Sequence, residues 1–163
     1  MFTQKIKTYA FVGTSGTGKS YRAQLVANER NIEFIIDDGL LIKGNEVLAG
    51  ISAKKASTKI ATVKGAVFSN EEKRKEIQKI LKKHKPKSIL ILGTSDEMVA
   101  KIAKNLEIDP IIETIYIEDI ATEEEIQTAR NVRITQRKTC NSSANFCNKK
   151  RLFWVLIRPA SSV

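Results

Sequence analysis

Apolar residues recur along this chain in two alternating patterns. Short near-continuous runs, Thr8-Tyr9-Ala10-Phe11-Val12, Ile32-Glu33-Phe34-Ile35-Ile36, Ser88-Ile89-Leu90-Ile91-Leu92 and residues 111–117, read as strands buried on both faces. Between them lie stretches with helical spacing. Leu25 and Val26 mark one helix after Lys19, and Ile60, Val63 and Val67 mark another over residues 58–68. Ser69 with Glu72, Thr94 with Glu97, and Thr122 with Glu125 have capping-box spacing, predicting helices over about residues 70–83, up to 106 and up to 133. Leu40-Leu41-Ile42 and Glu46-Val47-Leu48 flank Lys43-Gly44-Asn45 and suit a small hairpin. Strands alternating with helices imply an α/β fold of three layers, a mostly parallel sheet with helices on both faces.

The first strand runs into Gly13-Thr14-Ser15-Gly16-Thr17-Gly18-Lys19-Ser20, which has the spacing of a phosphate-binding loop. Glycines there let successive backbone N–H groups turn inward at a helix amino terminus, where an anion is favoured. Lys19 would reach the β- and γ-phosphates and Ser20 would ligate magnesium. A plain glycine-rich turn is the alternative, but a loop that follows a strand and opens a helix is the context in which the motif carries chemistry. On these residues the chain resembles the P-loop NTPase superfamily.

A metal at Ser20 also needs a carboxylate from a strand end. Asp37-Asp38, Asp96 and Glu118-Asp119 compete for that place. The resemblance to P-loop kinases of small metabolites favours Asp37 and Asp38, as metal partner and as the group that orients an acceptor; a turn after a strand is the plainer account. The third predicted strand ends in Gly93-Thr94-Ser95 rather than an acid, which disfavours a standard motor ATPase. Thr94 and Ser95 are read as helix-capping residues, and His84 as an ordinary surface histidine. Arg130 and Arg133 share a helix face and suit either lid arginines or a solvated surface. No Asn-Lys-x-Asp sequence is present, so ATP is favoured over GTP.

The resulting expectation is an ATP-binding protein catalysing magnesium-dependent phosphoryl transfer or hydrolysis. Lys19, Asp37 and Asp38 would act at the phosphates, Ser20 and Asp37 at the metal, with a small-molecule acceptor in the kinase-like case. The alternative is a regulatory binding module with weak ATPase activity, whose partner surface is the charged stretch from Glu71 to Lys85.

Charge changes this picture little. The chain has 163 residues and a formal charge of +10, which invites nucleic acid as a ligand. Yet six basic residues and no acid lie between Ile134 and Val163, leaving 22 basic against 18 acidic residues before them. Lysine and glutamate alternate over residues 71–85, as on a solvated helix face, so nucleic acid is not expected. No apolar run approaches the roughly 20 residues that span a bilayer, and no leader pattern precedes the first strand, so a cytoplasmic protein away from membranes is expected. Cys140 and Cys147 match no common zinc spacing and read as free thiols.

Residues 1–136 read as the nucleotide-binding domain and 137–163 as an atypical basic tail. Back-translating Arg137 to Phe146 as AGG AAA ACA TGT AAT TCC AGT GCC AAC TTT and removing the first base gives Gly-Lys-His-Val-Ile-Pro-Val-Pro-Thr. That reading resembles the carboxyl-terminal stretch of a family of small bacterial P-loop ATP-binding proteins of unassigned function, and it implies that the tail is out of frame and poorly ordered.

Overall fold

The structure, a computed structural model, describes residues 5–50 and 58–140. Twelve elements follow one another among them: β1 (Lys7–Val12), α1 (Lys19–Glu29), β2 (Phe34–Asp37), β3 (Leu40–Lys43), β4 (Glu46–Gly50), α2 (Lys59–Ala66), α3 (Glu71–His84), β5 (Ser88–Gly93), α4 (Asp96–Asn105), β6 (Ile111–Tyr116), α5 (Ile117–Ile120) and α6 (Glu123–Cys140).

The six strands form one sheet in the order β4-β3-β2-β5-β1-β6. β1 pairs in parallel with both β5 and β6, and β2 in parallel with β5. β3 and β4 are antiparallel additions at one edge, so the sheet is mixed. The predicted hairpin about Lys43-Gly44-Asn45 is present, but it is continuous with β2. Asp38 and Gly39, with φ of 55° and 80°, form a two-residue connection between the paired Asp37 and Leu40. Two successive positive φ values match the twist of a type I′ hairpin, and an Asp-Gly pair supplies them readily.

Strand alternation builds two cores. Ala10, Val12, Phe34, Ile36, Ile89 and Ile91 face Ile77 and Leu81 of α3 and Val99, Ile102 and Ala103 of α4. The intervening Phe11, Ile35, Leu90 and Leu92 face Ala23, Val26 and Ala27 of α1 and Ile126 of α6. The three expected layers follow from this period of two.

Two capping boxes shift by one residue. Asn70, not Ser69, caps α3 by accepting from the Lys73 N–H at 3.1 Å. Ser69 is taken up by the preceding helix, donating its N–H to the Lys64 carbonyl at 3.0 Å after Phe68 turns left-handed at φ 55°. That conformation costs a non-glycine residue about 1–2 kcal/mol. Burial of Phe68 is worth about 1.5–3 kcal/mol and offsets it. Ser95, not Thr94, caps α4, accepting from Met98 N–H at 3.3 Å. The third box stands: Glu125 N–H donates to the Thr122 hydroxyl, and Thr122 N–H to the Glu125 carboxylate at 2.8 Å.

Further departures concern α2 and α6. Ile60 and Val63, expected on an inner helical face, are 70% and 58% exposed. Among the described side chains of that stretch, Ala66, Val67 and Phe68 at its end are buried, Val67 and Phe68 within the core beside α3. α6 runs past Arg133 to Cys140, while the remainder of the tail, with Cys147, lies outside the described residues. No helix among the described residues is long and apolar enough to cross a membrane.

Candidate nucleotide-binding site

The loop between β1 and α1 lies at the carboxyl end of the parallel strands, where ligands of open α/β sheets collect. Its first residue is pinned on both sides. Gly13 donates its N–H to the Gly93 carbonyl at 3.2 Å, and a Cβ on Gly13 would stand 2.4 Å from Cγ2 of Ile117. No side chain fits there, so the loop approaches the sheet only with glycine. Gly16 and Gly18 hold φ of 81° and 85°, the left-handed values that turn consecutive N–H groups to one side.

Inside the loop, the Thr17 hydroxyl donates to the Thr14 carbonyl at 2.8 Å, and Lys19 Nζ donates to the same carbonyl at 2.8 Å. The lysine thus already lies over the nest. Ser15 is the remaining loop residue, between Thr14 and Gly16 at the turn's exposed side.

The decisive contact is that of Ser20 with Asp37. Ser20 Oγ donates to Asp37 Oδ2 at 2.6 Å, the length of a charge-assisted bond between hydroxyl and carboxylate. α1 begins at the loop and β2 ends at Asp37, with β5 between β1 and β2 in the sheet. The pair is therefore made by strand order. Asp38 sits in the adjoining hairpin turn.

The other two candidate strand ends do not reach Ser20. Asp96 accepts from the Tyr116 hydroxyl at 3.0 and 3.1 Å, spanning the exit of β1 from β5 to β6. That hydrogen bond, seconded by desolvation, raises the Tyr116 phenol above its ordinary value. Glu118 and Asp119 lie exposed in α5. Thr94 directs its N–H and hydroxyl to Met98 Sδ at 3.5 and 3.4 Å.

α6 covers one side of the loop. Arg130 Nη2 donates to Thr14 Oγ1 at 3.4 Å, and Ala129 faces Gly18, where an added Cβ would meet Ala129 Cβ at 3.3 Å. Of the two arginines raised as lid candidates, Arg130 is thus brought to the loop. Arg133 lies one turn further along α6. Arg22, which no motif singled out, ties the two helices through a 2.8 Å ion pair with Glu125. The Thr122 N–H and then Arg22 hold the Glu125 carboxyl below its ordinary value.

Ser20 and Asp37 suit magnesium, a hard cation that takes oxygen ligands and keeps much of its shell for phosphates and water. Among the described residues no group of three His, Cys, Asp or Glu side chains gathers to hold a metal by itself. One hydroxyl beside one carboxylate is the donor set of a cation brought in with a triphosphate. A groove of about 570 Å³ lies at the other end of β2, lined in part by Glu33, Lys43 and His84, and offers no acceptor site beside Asp37.

These features define a P-loop nucleotide-binding protein. Residues 9–118 match the family described as "ATPase family associated with various cellular activities (AAA)", and the chain belongs to it. No curated protein and no solved structure matches the chain. Family membership brings ATP binding with it. The acid that the structure brings to Ser20 comes from the end of β2, as Asp37.

Proposed function

We propose that this chain hydrolyses ATP with magnesium, using Ser20 and Asp37 to hold the metal. The observation that carries this reading is the 2.6 Å bond from Ser20 to Asp37 beside the glycine-rich loop. The loop from Gly13 to Ser20 binds the triphosphate through its N–H groups. Lys19 exchanges the Thr14 carbonyl for phosphate oxygens, placing its charge where negative charge grows during phosphoryl transfer. Magnesium, when bound, neutralises charge on the β- and γ-phosphate oxygens.

Asp37 keeps the Ser20 hydroxyl oriented, and Asp38, fixed in the turn that follows, orients the attacking water. Arg130 lies close enough to the loop to approach the phosphates. Calorimetric ATP titration with and without magnesium, together with phosphate release, tests this reading in the parent and in Lys19→Ala. Undiminished binding in the variant overturns it.

A second reading is supported by the docking of α6 on the loop. Arg130 and Ala129 touch the segment that a phosphate would enter, so nucleotide state would set the position of α6 and hence a partner surface. In that case turnover is slow and hydrogen exchange in α6 changes on ATP binding. The tail from Arg137 onward is proposed to be an out-of-frame continuation. Gene codons incompatible with the shifted reading overturn that proposal.

A further inference from the structure

The pole of the sheet opposite the phosphate loop is basic in a way that the sequence conceals. Along α3, glutamates occupy the first turn and Lys82, Lys83 and His84 the last. The chain then continues through Lys85, Pro86 and Lys87 into β5. Lys7 N–H bonds to the Lys87 carbonyl at 3.0 Å, and Lys7 pairs with Ser88, which sets the start of β1 directly beside the start of β5. Lys5 precedes it by two residues.

Lys5, Lys7, Lys82, Lys83, Lys85 and Lys87 are all exposed. Among the described residues none of the six is in an ion pair. Acids on this pole are Glu29, Glu33, Glu46, Glu107 and Asp109, while Lys43 and Lys104 stand there as further cations. The Asp109 carboxylate accepts from the Ile6 N–H at 2.7 Å. Cations in a last helical turn favour the helix dipole, which accounts for Lys82 and Lys83 but not for Lys5, Lys7 or Lys87.

Beside these lysines opens the groove of about 570 Å³, with His84 in its wall. Asn28, Glu46 and Leu48 also line it, giving hydrogen-bonding groups and an apolar surface. We infer that this pole binds single-stranded nucleic acid, with the lysines on successive phosphates and an unstacked base in the groove. Carboxylates and amides there can pair with base edges, which a single strand splays out and a duplex keeps stacked and paired. Polymeric phosphate also answers the mutual repulsion of six unpaired lysines, through counterion release. The inference stands apart from the ATPase reading, because the two surfaces occupy opposite ends of the strands.

Fluorescence anisotropy with a labelled single strand of about 15 nucleotides, against the same sequence as a duplex, tests it on the full chain. About five phosphate contacts give a salt slope near −3.5, or roughly a hundredfold loss of affinity between 50 and 200 mM salt. Changing Lys82, Lys83, Lys85 and Lys87 together to Gln should remove most of that slope. The basic tail is left intact in this variant, so its contribution is separated. Circular dichroism and ATP titration on the same variant establish that the fold and the nucleotide site persist; a variant that fails either check is replaced by Lys5→Gln with Lys7→Gln. Absence of binding at 50 mM salt, tighter binding of the duplex, an unchanged slope in the variants, or equal displacement by a polyglutamate peptide overturns the inference. Loss of ATP binding by the parent protein, with strand binding retained, would strike the ATPase reading and leave this one standing.

Discussion

Ser20 Oγ lies 2.6 Å from Asp37 Oδ2, so the first turn of α1 is joined to the end of β2 across the intervening strand β5. In the function proposed above, this hydroxyl and carboxylate hold the magnesium of the triphosphate. Asp37→Asn keeps size and a hydrogen-bond acceptor but removes the charge. Magnesium affinity is expected to fall about 10–100-fold. ATP binding without magnesium should change little, which isothermal titration in the two conditions measures.

The turn that positions Asp37 rests on glycine. Gly50 has φ 97°, and a Cβ there would stand 2.1 Å from the Gly39 carbonyl oxygen. Gly50→Ala therefore forces the Asp38-Gly39 turn to move and should cost about 2 kcal/mol or more. Gly44→Ala is the matched control, with φ 59° and nothing within 4 Å of the added carbon. It should cost only about 1 kcal/mol. Denaturant midpoints of the two variants give the comparison, and Gly50→Ala alone should also weaken magnesium binding.

Docking of α6 onto α1 should depend on pH. The Thr122 N–H and Arg22 lower the Glu125 carboxyl in the folded state, so its contribution is present above the ordinary glutamate value. It is lost as pH falls through the lowered value. Protection of α6 amides, taken relative to their intrinsic exchange rate at each pH, should therefore fall at acid pH, and Glu125→Gln should show the lowered protection already at neutral pH.

Arg130 offers a separate test of what α6 does at the loop. Its Nη2 is 3.4 Å from Thr14 Oγ1 without touching the Ser20–Asp37 pair. Arg130→Gln should lower phosphate release about tenfold, since an added charge-assisted bond contributes roughly 1.5 kcal/mol. Affinity for ADP, which lacks the γ-phosphate, should stay close to that of the parent.

Much of the architecture can be read from local pattern. The strands, the loop from Gly13 to Ser20 and the Thr122–Glu125 cap depend on residues within a few positions of one another. The Asp38-Gly39 hairpin was equally open to reading, since Asp-Gly between apolar runs is a turn signal, yet it reads as a simple strand end when parallel strands are expected. Caps at Asn70 and Ser95 were displaced by neighbouring contacts: Ser69 serves the end of α2, and Thr94 faces Met98.

By itself the sequence determined a phosphate-binding loop between a strand and a helix, because glycine φ values, lysine reach and hydroxyl placement are set within eight adjacent residues. Tertiary structure decided which acid meets Ser20, that Arg130 touches the loop, and that lysines from two distant segments share a pole. Those outcomes depend on strand order. Strand order is fixed by the burial of two apolar faces at once, so no stretch of chain carries it alone.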